Sequence, residues 1–132
     1  MTISATIANA LNKNDITVTT NDQSKSISIA SKPSGYGSSV NGGELLMLSL
    51  AVCYCNDIYR EAAKMNIEVT SVDVEVTGTF GAEGVPGTGF KYKPRIKSNA
   101  SDEQIRKLIE YTDGIAEIHK TLRGGAAVDL VR

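Results

Sequence analysis

Cysteine and histidine are scarce in this 132-residue chain, which has two of the former, Cys53 and Cys55, and one of the latter, His119. Two cysteines one residue apart are too few and too close to staple a small secreted fold, so they read as thiols. A lone histidine without a CxxC pair supplies no tetrahedral ligand set, and no metal is expected. Long apolar runs are missing as well. The longest, Leu45 to Val52, is broken by Ser49 and falls far short of the roughly 20 residues that span a bilayer, so no membrane segment is expected. Nor does either charge dominate: 14 Lys and Arg stand against 15 Asp and Glu, leaving no long-range field to draw the molecule onto nucleic acid or an anionic membrane. The opening MTISATIANALNKND lacks a basic start and a continuous apolar stretch. It does not read as a signal peptide, and the cytosol is the expected compartment.

What is present suits a single domain over residues 1–132, since two domains from so short a chain would each sit near the stability floor. Ile3, Ala5 and Ile7 alternate with polar neighbours, the period of a strand with one buried face. The alternation breaks at Ala8 and Asn9; Asn12–Asp15 and Asn21–Ser24 are turn-rich, and between and after them Ile16, Val18, Ile27 and Ile29 mark further strands of a β-meander. Ser31–Gly43 collects four Gly, four Ser and one Pro and predicts a loop. From Glu44 to about Met65 no Pro or Gly occurs, and the residues are strong helix formers. The first half of this helix is apolar nearly all round, which predicts burial on most sides, at the centre of the domain or of a dimer.

Val72, Val74 and Val76 then alternate in a strand joined through Gly81–Gly89 to a second one. There Phe90, Tyr92 and Ile96 share one face and Lys91, Lys93, Arg95 and Lys97 the other, with Pro94 marking an edge. The basic row is read as a solvated face, as Lys-bearing edge strands usually are. Ser101 followed by Glu103 and Gln104 is an N-cap signature for a helix with Ile105, Leu108, Ile109 and Thr112 on one stripe. Gly114 is expected to interrupt it. A short helix over Ile115–Leu122 should end at Gly124 and Gly125, with Ala126, Val128 and Leu130 forming a last strand.

At about 100° per residue, Cys53 shares a helix side with Ser49, Asn56, Asp57, Arg60 and Lys64, where an apolar patch meets polar side chains. Cys55 points the opposite way, among Leu48, Ala51, Tyr59 and Ala62, and reads as a small buried hydrophobe. The two project about 200° apart, which excludes a bond between them on an intact helix. Arg60 would favour a Cys53 thiolate and Asp57 would oppose it. On these residues alone Cys53 reads either as a packing cysteine or as a reactive thiol.

The run GGELLMLSLAVCYCNDIYREAAKMNIEVTSVDVEVTG resembles the core of the OsmC/Ohr family. An acid, Glu44, precedes paired leucines, a small-residue stretch, Cys53 and a long helix that leads into the Val72–Val76 alternation. FKYKPRIKSNASDEQIRKLIEYTD and AEIHKTL resemble the family's later strand, second helix and closing segment, so the resemblance spans essentially the whole chain. It implies an α+β fold with antiparallel sheets packed on two central helices, in an intertwined homodimer. It also implies a peroxidatic cysteine at Cys53, no cofactor, and reduction by an external thiol. The family's second cysteine falls at Ala116, the family's N-terminal arginine has no counterpart before Arg60, and its glutamate position is Gly43, one place before Glu44. Glu44 is read as either a helix-start acid or a site residue. His119 is read as either a surface residue near a helix end or a support to the Cys53 thiolate.

The expected function is therefore a one-cysteine hydroperoxide reductase in which Cys53 becomes a sulfenic acid that an external thiol restores, with Glu44, Asp57, Arg60 and His119 as possible support. The rival from another class is a catalytically silent module that binds a small hydrophobic ligand. Nucleic-acid binding through Lys91, Lys93, Arg95 and Lys97 is disfavoured by the balanced charge.

Overall fold

The computed structural model describes residues 1–132. The elements run β1 (Ile3–Ala10), β2 (Lys13–Thr20), β3 (Gln23–Ile27), α1 (Gly42–Lys64), β4 (Val69–Thr79), β5 (Thr88–Ser98), α2 (Asp102–Ile115) and α3 (Glu117–Arg123). They fall into two compact units, Met1–Leu45 and Leu46–Arg132.

In the first unit β1, β2 and β3 form an antiparallel meander. Ile7, Ile16 and Ile27 stand in one cross-strand row and Thr6, Thr17 and Ser26 in the next, so the sheet has an aliphatic and a hydroxyl face. The break expected at Ala8 and Asn9 does not occur. Those residues pair with Asp15 and Asn14, and the reversal is confined to Leu11 and Asn12. Asn12 (φ 56°) and Asn21 (φ 52°) take the left-handed conformation that both hairpins need, which asparagine tolerates better than other residues bearing a side chain. The Ser31–Gly43 segment carries no regular structure until Gly42, where Asn41 caps α1. The Asn41 side chain accepts from the Glu44 N–H at 2.8 Å and donates to the Glu44 carboxylate at 2.6 Å.

In the second unit α1 buries Leu50, Tyr54, Asp57, Ile58, Glu61 and Ala62, a stripe at helical spacing. Tyr54, Ile58 and Ala62 join Ile67, Leu108 and Ala116 in the core, with Val72, Val74, Tyr92 and Ile96 of the β4–β5 hairpin packed against it. Burial of α1 on most sides is not found within the chain. Leu48 and Val52, seven and three residues before a half-buried Cys55, and Tyr59, four residues after it, are 56, 49 and 43 % exposed. The apolar first half of the helix has two faces to cover, and this chain's own core covers one.

The β4–β5 hairpin sets Glu75 opposite Lys93 and Asp73 opposite Arg95, with an Arg95–Glu75 ion pair at 3.4 Å. The basic row is thus interleaved with acids, which leaves little net field for a polyanion. Ser101 and Gln104 form a reciprocal capping box at the start of α2. Gly114 does not interrupt α2, because the helical hydrogen bonds continue through Ile115 and the Ala116 N–H still reaches the Thr112 carbonyl at 3.0 Å. The chain breaks direction at Ala116, which is extended and serves as the cap of α3. The last strand is not formed: residues 126–132 pair with no edge in the chain and are exposed, Val128 at 98 %. A strand needs a partner for its backbone groups, and alternation alone does not supply one.

Candidate active site

Cys53 lies halfway along α1, one turn before Asp57 and two before Arg60. Its thiol donates to the Asp57 carboxylate, with Sγ 3.7 Å from Oδ2. Asp57 is only 4 % exposed, and its other oxygen, Oδ1, holds the Arg60 guanidinium at 3.0 Å. The break at Ala116 brings the first turn of α3 over this face of α1. Glu117 places a carboxylate oxygen there, and the Cys53 sulfur and the Asp57 and Glu117 oxygens all lie within 4.8 Å of one another. The backbone N–H of Ile118, in the same turn, favours the ionised sulfur.

The electrostatics follow from this arrangement. Burial raises the Cys53 thiol above its ordinary value; the Ile118 N–H acts against that, and the charges of Asp57 and then Glu117 push it up again. Arg60 does not act on the sulfur, because its guanidinium is taken by Asp57 and by Glu61 at 2.8 Å. Asp57 is itself raised, by burial first, with Arg60 opposing and Glu117 adding to it. The site therefore holds a protonated thiol beside a buried carboxylate. One thiolate with two carboxylates would offer a metal mixed soft and hard ligands, one of them already engaged by an arginine, and no metal is assigned to them.

The other residues singled out by sequence lie elsewhere. Glu44 is exposed, and its carboxylate is held by Asn41 at the helix start. His119 is not the surface residue its place near a helix end suggests. It is 4 % exposed, its ring 4.6 Å from that of Tyr92 and 5.7 Å from that of Tyr54, and neither ring nitrogen has a hydrogen-bond partner. Burial, and then the charge of Arg123, lower its affinity for a proton, so it is a neutral ring in an aromatic cluster. Around it the Tyr54 hydroxyl donates to the Ile109 carbonyl at 2.8 Å, the Tyr92 hydroxyl donates to Asp113, and Arg123 pairs with Asp113 at 2.7 Å. Beside this cluster a pocket of about 390 Å³ is lined by Leu50, Val76, Phe90, Tyr92, His119 and Leu122, among others. Leu50 lies one turn before Cys53 on α1.

Sequence reasoning did not single out Glu117 or Ile118. Both directly follow Ala116, the position in register with the second cysteine of the OsmC/Ohr pattern, and that adjacency was the available signal.

The fold and site define an α+β protein with antiparallel sheets and a long helix presenting a single half-buried thiol to a second helical segment. The family model described as OsmC-like protein matches residues 35–131, and the chain belongs to that family. Among solved structures, it is similar to an OsmC-like protein from Mycoplasma pneumoniae, with 20 % identity, a TM-score of 0.63, and 92 % of this chain and 89 % of that one covered. An OsmC-like protein of unknown function from Vibrio cholerae matches at 14 % identity and TM-score 0.64, covering 92 % and 93 %. The organic hydroperoxide resistance protein OhrB of Bacillus subtilis matches at 16 % identity and TM-score 0.57, covering 95 % and 93 %. At these identities the likeness is one of fold. No curated protein matches the sequence. No helix is long and apolar enough to cross a membrane.

Proposed function

We propose that the protein reduces organic hydroperoxides through Cys53 in the cytosol, as part of a response to peroxide stress. Membership of a family whose solved relatives include hydroperoxide resistance proteins supports the substrate class. The observation that carries the reading is the setting of Cys53, a half-buried thiol at the meeting of two helices, one turn along α1 from Leu50, which lines a largely apolar pocket able to take a carbon chain. A sealed thiol could not meet a peroxide.

Attack on the peroxide gives a sulfenic acid and an alcohol. No internal disulfide can follow, because Ala116 stands at the second-cysteine position and Cys55 projects away around the helix. An external thiol condenses with the sulfenic acid, releasing water, and a second thiol then frees Cys53. The working form is a homodimer in which the exposed Leu48, Val52 and Tyr59 stripe of α1 meets a second copy.

The test follows decay of cumene hydroperoxide and of hydrogen peroxide with excess dithiothreitol in the wild type, Cys53→Ser and Cys55→Ser. Turnover lost only in Cys53→Ser is the expected result. Absence of turnover in all three proteins would refute the proposal.

A further inference from the structure

Resting on that reading, we infer that Asp57 is the proton carrier of the Cys53 reaction, taking the thiol proton as sulfur attacks and returning it to the departing alkoxide. The groups around the sulfur call for such a carrier. From α1 it is faced by Asp57, and from α3 by Glu117 and the Ile118 N–H, while Arg60 is turned to Asp57 and Glu61. Burial and the two carboxylates hold the sulfur protonated against the opposing pull of the Ile118 N–H, with no cation in contact to draw out a thiolate. A thiol so placed has little thiolate at neutral pH, and a base that accepts its proton during attack speeds its reaction. Asp57 is held ready to act as that base, since Arg60 fixes Oδ1 at 3.0 Å and leaves Oδ2 aimed at the sulfur at 3.7 Å.

The step balances without any other reagent. The sulfur of Cys53 bonds to the terminal oxygen of the hydroperoxide and is oxidised by two electrons, the O–O bond breaks, and the peroxide is reduced to an alkoxide. The proton lost by sulfur passes through Asp57 to that alkoxide, giving Cys53 sulfenic acid and a neutral alcohol. Glu117, exposed and within 4.8 Å of both partners, raises the basicity of Asp57 by like-charge repulsion.

The experiment measures the second-order rate of Cys53 oxidation by tert-butyl hydroperoxide in a Cys55→Ser background, from about pH 4 to about pH 8.5, a span that starts at ordinary carboxylate titration and ends near that of a thiol. With Asp57 as carrier, the rate is level across neutral pH, since the thiol itself reacts whenever Asp57 is ionised. Asp57→Asn then slows oxidation at neutral pH by about 10²-fold, within the usual range for a lost acid–base group. Its rate should rise about tenfold per pH unit, as the thiolate becomes the only reactive form. A role for Asp57 in charge alone gives the opposite result: removing its negative charge makes the thiolate easier to form, so Asp57→Asn would react as fast as the wild type or faster, and the inference would fall. Glu117→Gln, on an exposed side chain, keeps the fold if the buried Asp57 substitution does not. It should retain the level region while its acid limb moves to lower pH; an unmoved limb overturns the inference. Should the wild-type thiol resist the peroxide at every pH, the reading of Cys53 as peroxidatic fails, and the carrier role with it.

Discussion

Acidification tests the aromatic cluster around His119. In the folded protein its ring is packed against Tyr54 and Tyr92 with neither nitrogen hydrogen-bonded, and its affinity for a proton is lowered by burial and by Arg123, with Asp113 acting in the opposite sense. Unfolding returns the ring to water, where it takes up a proton near its ordinary value of about 6.5. Below that pH the unfolded chain therefore binds more protons than the folded one, and stability falls as pH falls. The full contribution is present above the unfolded value, and the loss stops once the pH has passed below the folded value. One proton sets the limit, a slope of at most about 1.4 kcal/mol per pH unit. The assay is urea unfolding followed by far-ultraviolet circular dichroism at constant ionic strength, on the wild type and on His119→Phe, which keeps a ring against both tyrosines. The stability difference between the two should be constant above about pH 7 and shift in favour of the variant as pH drops through about 6. The shifts of Asp57 upward and Glu61 downward cancel in that difference, and Asp113, held down first by Arg123 and Tyr92, cancels except for its own coupling to His119. A difference that stays level with pH would refute the buried neutral imidazole, as would a wild type that gains stability relative to the variant on acidification.

Three further substitutions probe the second unit. Leu108→Ala empties a fully buried position and should cost about 2–5 kcal/mol in urea unfolding; a loss under about 1 kcal/mol would show a core able to collapse into the space. Thr112→Val removes a fully buried hydroxyl that has no partner and should leave stability unchanged or raise it by about 1–3 kcal/mol, with calorimetry as the readout and any clear loss counting against the account. Val52→Asp places a charge in the exposed α1 stripe and should leave a monomer in sedimentation analysis, whereas a dimer that persists would move the interface elsewhere.

Much of the fold was legible because its signals are local. The meander, the long helix, the valine-alternating hairpin and the Ser101 cap each rest on a period or a capping pattern contained in one segment. The departures occur where a distant or missing partner decides. Ala8 and Asn9 remain in β1 because Asp15 and Asn14 pair with them, and residues 126–132 are no strand because nothing pairs with them. Gly114 stays helical because the cost of glycine in a helix is about 1 kcal/mol, less than tertiary packing can supply. At the site, periodicity put Cys53, Asp57 and Arg60 on one side of α1, but it could not show that Arg60 turns to Asp57 and Glu61, nor that Glu117 arrives from α3. His119 looked like a helix-end residue because its position in α3 is local information, while its burial depends on Tyr54 and Tyr92 from two other elements.

The cap of α1 has a chemical lifetime. Asn41 is followed by Gly42, the pairing in which an asparagine amide is most readily attacked by the next backbone nitrogen and hydrolysed. The product, an aspartate if the chain is not rerouted, can still accept from the Glu44 N–H as its predecessor does at 2.8 Å. The opposite half of the exchange reverses sign, however, since an amide donor now 2.6 Å from the Glu44 carboxylate becomes a second anion facing it. An ageing sample would thus gain one negative charge and a frayed first turn in a single event, visible as an acidic species on ion exchange before any change in the core.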